Sequence, residues 1–441
     1  MSTYEVFRDN VNDGDPVIGI NSFTSDITIT EFSENTVNTQ KYVSFFSTVM
    51  NLLNSLIGAE ILSISNSMRF CGVYVSIGLM TATALLSYFA TIMTIKLEKD
   101  VNAESLSDMA TKILGKAGSR VLAFLTLFFT YSCEVAYLII GGNNISSWLS
   151  LIRLNAWTTG YRRSIVMLIY SLVLPVMLTL PKQITFISMF STFAFFSVLG
   201  FTGVMIFKGY SYFQTHTINP TVKSYEFNLG FFNALAIYSL MFALPAIILP
   251  VLKPFHPSIS KRYRVVGTSF FACYMFVIIP GVIGYLMFGQ ETHEIILTSF
   301  SNGDLAVQAV RVGLFIAVTA SYPVIMLSIG SDLSALIFHQ NNPNNLNTKS
   351  RSLVLLVGNI PPVLVAMVCP FISPVLAIGG ALGGCMTNFF FPSLMWLVNS
   401  KKHKLHWTNI FCLLLVIFGF VSACIATYRA VIVAMHPHSD D

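Results

Sequence analysis

The amino-acid sequence predicts an all-α integral membrane protein with about eleven transmembrane helices, arranged as an inverted five-helix repeat plus one extra helix. Of its 441 residues, 54% are hydrophobic and only 10% are charged, whereas about 25% of residues are charged in soluble domains. About eleven apolar segments approach the roughly 20 residues that a helix needs to cross a bilayer. The first and sixth segments are interrupted, as expected of two inverted halves that meet at a midplane site.

The predicted spans follow the apolar runs along the chain. Repeat one, about 44–208, contains the spans 44–68, 72–96, 120–150, 163–181 and 184–208. Repeat two, about 229–398, contains 229–252, 264–289, 305–337, 352–370 and 372–398, and the extra span covers 408–434. The division of 352–398 into two spans rests on Pro370 and Pro374, which flank a tight turn.

The chain begins with a predicted disordered tail, 1–40, ahead of the transmembrane domain, 41–441. The tail carries seven acidic residues against one arginine and has no long apolar run. No cleavable signal peptide is expected, because a basic start followed by an apolar stretch is missing. Most lysines and arginines fall in segments that lie on the same side of the membrane as the N-terminus. Because positive charges favour the cytosolic side, this predicts a cytosolic N-terminus. The plasma membrane and an acidic organelle membrane both stay open.

The first span contains the most informative segment, NLLNSLIGAEILSI at 51–64. It places Asn51, Asn54, Gly58 and Glu60 in the middle of an apolar stretch. A charge at bilayer depth costs roughly 2.5–3.5 kcal/mol on insertion scales, so ionisable groups there usually mark a substrate or ion path. We therefore predict an unwound turn whose freed backbone groups bind an ion or substrate. Close helix packing at Gly58 is the alternative.

The sixth span has its own predicted interruption, in ALPAIILP at 243–250. Prolines also kink many membrane helices, so this interruption alone does not indicate a binding site. Together with the interruption in the first span it predicts a site between two inverted halves. Glu134 is the other carboxylate well inside a span. A structural hydrogen bond to a neighbouring helix and a role near the transport path are both open for it.

Two further patterns lie in repeat two. Thr319 and Ser321 present hydroxyls beside Pro323, either to an ion or to their own helix, since membrane Ser and Thr usually bond back to the backbone. Four glycines recur on one face of the tenth span, at 379, 380, 383 and 384. We predict that they form a close helix contact, with no binding role.

Several function classes are excluded by what the chain lacks. Its seven cysteines show no metal-ligand spacing and no disulfide framework, so no metal and no cofactor are predicted. The net charge of +5 is spread between apolar runs without a nucleic-acid motif, so no nucleic-acid partner is predicted. No nucleophile–base arrangement occurs on the loops, so no enzyme is predicted. Oligomeric state is left open.

Six segments occur in a fixed order from about residue 44 onward: NLLNSLIGAEIL (51–62), AYLIIG (136–141), LPKQI (180–184), GYLMFG (284–289), AVTASYP (317–323) and IGGALGG (378–384). In residue sequence and in order they resemble segments of the amino acid/auxin permease family, within the amino acid-polyamine-organocation superfamily. The pattern is similar to that of its sodium-coupled neutral amino acid transporters. The resemblance implies the fold of the bacterial leucine transporter and ion-driven amino acid transport.

The resemblance also implies a set of site residues. Asn54 and Thr319 match positions that contribute to a sodium site in the family, with Ser321 as a second choice and Ile57 assigned to the same site. The backbone of Gly58, Ala59 and Glu60 matches the turn that presents N–H groups to a substrate carboxylate. The predicted substrate site further includes Tyr137, Tyr238 and Ser239. Glu60 and Glu134 are the candidates for proton coupling.

The chain departs from the family at the predicted substrate site. Small residues such as Gly-Ser-Gly are common in the family where this chain reads Gly58, Ala59 and Glu60. An ionised Glu60 in the cavity would repel a substrate carboxylate and attract an ammonium group; a buried one would carry a proton, and one turned away would pair with a cation elsewhere. The family often has a Cys-His pair in the sixth helix, near the position where this chain has Met241 and Phe242. The substrate of the best-known family members therefore cannot be assigned to this chain.

Two functions of different classes remain. The first is a secondary active transporter that moves an amino acid by alternating access, coupled to transported sodium ions or protons. The second is a transporter-like amino acid sensor or receptor without significant flux. The predicted partners are an amino acid substrate and membrane lipid.

Overall fold

The computed structural model describes residues 42–103, 105–181, 187–338, 340, 343–401, 403 and 405–435. The predicted tail, 1–40, lies outside them. Every regular element in the described chain is helical. Nine of its helices are long and apolar enough to cross a membrane. The first and sixth predicted spans are divided into shorter helices, so the total of about eleven stays a prediction.

The nine long helices correspond to predicted spans two to five and seven to eleven. In chain order they are Val73–Val101, Leu106–Leu151, Gly160–Thr179, Ile187–Phe213, Ile259–Phe288, Leu305–Phe338, Thr348–Val368, Ile372–Asn399 and Trp407–Met435.

The third span begins earlier than the apolar run predicts. It starts at Leu106, where the Ser105 side chain accepts a hydrogen bond from the backbone N–H of Asp108 at 3.1 Å and caps the helix. The helix then bends at Gly115, whose φ of 78° lies in the left-handed region that glycine tolerates. A polar, capped first segment therefore extends the helix outside the hydrophobic run.

The first span is interrupted as predicted. Its first helix, Phe45–Leu56, ends because Ile57 adopts an extended conformation, with φ −88° and ψ 98°. Gly58 is also extended, and a short 3₁₀ turn, Ala59–Leu62, follows. A helical turn at Ile64–Ser67 completes the span. The last carbonyl groups of the first helix consequently lack helical partners in the middle of the segment.

The sixth span is interrupted too. Gly230–Met241 is followed by an irregular stretch and then by Ile248–Leu252. Pro245 has no N–H to donate, so it cannot continue the hydrogen bonds of the helix Gly230–Met241. The confirmed breaks in spans one and six lie at corresponding positions of the two predicted repeats.

The tenth span packs closely against its neighbours through its glycines. Its central part, Gly380–Phe390, is π-helical between two α-helical ends. A Cβ atom at Gly380 would overlap the backbone carbonyl oxygen of Ala236, and one at Gly384 would lie 2.8 Å from the backbone nitrogen of Leu240. Cβ atoms at Gly379 and Gly383 would overlap Ser132 and Phe129 of the third span. The predicted close helix contact is therefore confirmed, and its partners are the sixth and third spans.

Candidate functional site

A small cavity lies beside the break in the first span. Its volume is about 30 Å³, enough for one or two water molecules or an ion and too small for an amino acid. It is lined by the first, third, fifth and eighth spans: Leu53, Asn54, Ile57, Gly58, Tyr137, Ala194, Phe195, Val198, Leu314, Ala317, Val318 and Ser321. We call it the ion cavity. Most of its wall is apolar.

Five predicted site residues meet at this cavity: Asn54, Ile57, Gly58, Tyr137 and Ser321. Asn54 offers an amide oxygen, and Ser321 and Tyr137 offer hydroxyls. The break at Ile57 adds backbone carbonyl groups that the helix no longer satisfies. Oxygen atoms of these kinds are suited to binding a hard cation.

Thr319 lies elsewhere. The eighth span lines the cavity with Leu314, Ala317, Val318 and Ser321, which follow the i, i+3, i+4, i+7 spacing of one helical face. Thr319 falls off that face, and its Oγ1 is 3.1 Å from the Tyr170 hydroxyl oxygen on the fourth span. Helical phase thus places the second choice, Ser321, at the cavity instead of Thr319.

Glu60 folds back over the break. A Cβ atom at Gly58 would overlap its Oε2, so the carboxylate fits there because residue 58 is a glycine. The Cys133 thiol donates a 3.8 Å hydrogen bond to Oε1, and the backbone N–H of Glu60 also contacts the carboxylate. Glu60 is buried and lies behind Gly58 instead of lining the cavity.

The predicted substrate residues of the sixth span are also away from the cavity. The Ser67 hydroxyl donates to the Tyr238 hydroxyl oxygen at 3.0 Å, and the Asn388 amide donates to the Ser239 carbonyl at 2.6 Å. Within the described chain, no sixth-span residue lines the ion cavity. The expected common pocket for both breaks is therefore not this cavity, and at Gly380 and Gly384 the tenth span packs directly on the sixth.

Glu134 is placed in a different environment from Glu60. It is fully buried, and the Tyr322 hydroxyl lies close to its carboxylate. That hydroxyl donates to Asn359 Oδ1 at 3.2 Å. The side chain of Asn359 in turn donates to Thr179 Oγ1 at 3.4 Å.

The side of the bundle opposite the N-terminal end of the first span is closed by polar contacts. We call it the outer side, and the other the inner side, which is predicted to be cytosolic. The Asn66 amide donates to Ser373 Oγ at 2.9 Å, and Arg69 donates to the Thr292 carbonyl at 3.3 Å. Ser63 Oγ lies 3.5 Å from Ser373 Oγ. These contacts join the second half of the first span to the tenth span and to the loop after the seventh.

The same loop contributes Glu294 to this closure. Its Oε2 accepts a 2.7 Å hydrogen bond from the backbone N–H of Ile372 at the start of the tenth span. Burial raises the pKa of Glu294 above its ordinary value, although the N–H groups of Ile372 and Ser373 and the charge of Arg69 oppose the shift.

Sequence reasoning missed Asn66 and Asn359. Asn66 is the third amide of the first span and Asn359 is a lone amide in the ninth, and the criterion that singled out Asn54 would have found both. Tyr322 and Ser373 carry no comparable signal, since hydroxyls are common in membrane helices. Their importance follows from contacts between spans that are far apart in sequence.

Comparison with known proteins gives a family and a fold. The family model described as "Transmembrane amino acid transporter protein" matches residues 41–433. Amino acid transporter AVT6E of Arabidopsis thaliana is 26% identical over 380 residues, covering 81% of this chain and 76% of that protein. Solute carrier family 38 member 10 of Rattus norvegicus is 22% identical over 371 residues, covering 81% and 33% respectively. The chain thus spans about a third of the length of several relatives it matches.

Among solved structures, the inward-facing conformation of Mhp1 is similar, with a TM-score of 0.59 and 14% identity over 91% of this chain and 94% of that one. This likeness confirms the predicted fold of the bacterial leucine transporter type.

Proposed function

Because this chain belongs to the family of transmembrane amino acid transporter proteins, we propose that it is a secondary active transporter that moves amino acids across a membrane by alternating access. One observation carries the proposal: the first and sixth spans break at corresponding positions in a fold built from inverted halves. Such breaks expose backbone polar groups at bilayer depth, which is worthwhile only where an ion or substrate binds.

The closed outer side and the small ion cavity support alternating access. The contacts of Asn66 and Arg69 seal one side, while a cavity of about 30 Å³ leaves no room for an amino acid. Substrate binding therefore requires another arrangement, in which the two halves move relative to each other. The sixth span, which already contacts the first through Tyr238 and Ser67, then contributes to the substrate pocket.

Coupling is assigned to the ion cavity. Asn54, Ile57 and Ser321 supply oxygen ligands for a sodium ion, and Thr319 is the alternative taken from the family resemblance. Proton coupling is the second possibility, with Glu60 and Glu134 as the carriers. Sodium and protons differ in a simple respect, since only sodium needs several oxygen atoms around it.

Substrate recognition is assigned to the first-span break and Glu60, with Tyr137, Tyr238 and Ser239 as further contacts. No basic side chain of the described chain lines the ion cavity. Glu60 is thus the acidic group next to it, separated by Gly58, and it acts on substrate charge in its ionised form. An acidic neighbour favours the ammonium end or a basic side chain of the substrate over an additional carboxylate.

Uptake by the purified protein in liposomes tests the proposal. A competition screen of the common amino acids, with and without sodium and at two pH values, identifies both substrate charge and driving ion. The proposal expects accumulation that requires one of the two ion gradients. Specific amino acid binding without flux would contradict it and would favour the sensor.

A further inference from the structure

Glu134 is a buried acid that the ion cavity does not explain. Its side chain is 0% exposed, and both carboxylate oxygens lack a hydrogen bond within the described chain. It does not line the ion cavity. A buried charge without a counter-charge is among the most costly arrangements in a protein, and a carboxyl group avoids it by keeping its proton.

A strip of polar side chains connects this acid to the inner side. The Tyr322 hydroxyl lies beside Glu134 and donates to Asn359 Oδ1 at 3.2 Å. Asn359 donates to Thr179 Oγ1 at 3.4 Å. Thr179 and Arg351 both line a second cleft, of about 20 Å³, at the inner ends of the fourth and ninth spans. A polar strip of this kind can hold water, whereas apolar cavities stay dry.

The groups that face Glu134 carry no positive charge in the described chain. From its own span these are Tyr131 and Cys133, from the eighth span Tyr322, and beyond that Tyr170 of the fourth; Glu60 lies across Cys133. Phenols, a thiol and a second carboxyl group cannot compensate a carboxylate. A proton is therefore the cation that fits this position.

We propose that Glu134 is a proton-binding site, separate from the ion cavity, that exchanges its proton with the inner side along Tyr322, Asn359 and Thr179. The inference rests on the proposed transport function and names the coupling group. On release, the Glu134 O–H bond breaks and the proton passes to water in the strip. The Tyr322 hydroxyl then turns from Asn359 Oδ1 and donates to the carboxylate left behind, and rebinding reverses both changes.

The position of Tyr322 links this site to the ion cavity. Tyr322 directly follows Ser321 on the eighth span, and Ser321 lines the cavity. A change in the hydrogen bond of Tyr322 therefore acts on the helix that carries the cavity. Coupling needs such a shared element, because two sites communicate only through a part of the protein whose state both sites bias.

Infrared spectroscopy of the purified protein tests the site without any requirement for flux. A protonated carboxyl group absorbs as a C=O stretch that is distinct from the carboxylate bands. We expect a buried carboxylic-acid band at neutral pH that is lost in Glu134→Gln and retained in the exposed-acid variant Glu291→Gln. Identical acid bands in Glu134→Gln and in the unmodified protein would overturn the proposal.

Transport in liposomes tests the route. Glu134→Gln should lose accumulation driven by a pH gradient while it retains exchange of labelled substrate. Thr179→Val should slow the gradient-driven accumulation several-fold, whereas the matched change Thr202→Val should not. Both hydroxyls donate to a carbonyl of their own helix, at Val176 and Val198, but only Thr179 Oγ1 also accepts a hydrogen bond from Asn359 on another span. Accumulation in Glu134→Gln that still follows the pH gradient would refute the site.

These two measurements separate the possible failures. An unmodified protein that moves no amino acid contradicts the proposed function, and the infrared band still decides whether Glu134 holds a proton. Should Glu134→Gln fail to fold, Thr179→Val against Thr202→Val decides the route: equal gradient-driven rates in these two variants would overturn it.

Discussion

Gly58 and Glu60 form a pair at the break of the first span. The glycine leaves the space that the carboxylate occupies, and the carboxylate lies against the turn, in contact with the backbone N–H of Glu60. A larger residue at 58 would force Glu60 out of this position. Glu60, which departs from the family pattern, therefore fits at the break because residue 58 is a glycine.

Replacing Glu60 with Gln should change substrate preference. Two unit charges about 4 Å apart interact by roughly 4 kcal/mol at an effective dielectric constant near 20, so removing the acid should reduce the preference for cationic over acidic amino acids by at least about tenfold. Competition for uptake in liposomes measures this ratio. Glu60→Asp, which keeps the charge, should retain the preference, and an unchanged ratio in Glu60→Gln would exclude a role in substrate charge.

Ser321→Ala should weaken sodium coupling, if sodium is the driving ion. Loss of one polar ligand weakens the binding free energy of sodium by about 1 kcal/mol. The sodium concentration for half-maximal flux should therefore rise roughly fivefold. Thr319→Val serves as the comparison because its hydroxyl contacts Tyr170 away from the ion cavity. A shift in Thr319→Val alone would favour the residue implied by the family resemblance.

The choice between these two residues shows what the sequence could supply at this scale. The pattern identified two hydroxyls two positions apart, and positions two apart lie on different faces of a helix. Which face meets the first span depends on how the eighth span is rotated in the bundle. That rotation results from packing against the third and fifth spans, which no local pattern encodes.

The tenth span is the element whose packing most constrains the sixth. Its glycines bring the two backbones into contact, and the π-helical stretch Gly380–Phe390 shifts the residues that follow by part of a turn. The contact at Gly384 lies against the backbone of Ser239 and Leu240. The two spans are consequently held together at the level of the sixth-span break.

Gly380→Ala should destabilise the protein. The added Cβ atom overlaps the Ala236 carbonyl oxygen, and overpacking of this kind costs about 1–3 kcal/mol because a backbone atom has little freedom to move. Thermal unfolding of the purified protein in detergent measures the loss. Gly203→Ala is the matched control, since no atom lies within 4 Å of a Cβ atom there. Equal unfolding temperatures of the two variants would argue against the backbone contact.

The loop that carries Glu294 should make stability depend on pH. Because the pKa of Glu294 is raised by burial, its protonated form is favoured in the folded protein. Its contribution is therefore fully present below the ordinary value of 4.5 and is lost as the pH rises through the raised pKa. The free energy of unfolding should fall with pH in this window more steeply in the unmodified protein than in Glu294→Gln. Glu291→Gln, in the same loop, should retain the steep dependence; parallel curves for Glu294→Gln would contradict this.

At the scale of the whole molecule, the structure combines a sealed outer side with a break in the middle of the first span. The seal consists of contacts between the second half of the first span, the tenth span and the loop at 292–294. These contacts join the two repeats. The proposed alternating access requires these contacts to break once in every transport cycle.

A disulfide across the seal should stop transport. Ser63 Oγ and Ser373 Oγ are 3.5 Å apart, close to the separation that a disulfide can bridge with a small shift. The double variant Ser63→Cys/Ser373→Cys should lose flux on oxidation and recover it on reduction. Each single variant should keep its flux under both conditions, and full flux in the cross-linked protein would rule out opening at this side.

Composition, apolar run length and helix-breaking residues were sufficient to predict a helical membrane protein, the approximate spans, both interruptions and the glycine contact. These properties are local, because a helix in a membrane satisfies its backbone within its own segment and breaks where its own residues require it. The partners of Glu60 and Glu134, the exchange of Thr319 for Ser321 at the cavity and the separation of the sixth span from it were not accessible in this way. They depend on rotations and contacts between helices that are distant in sequence, and the packed bundle alone sets these.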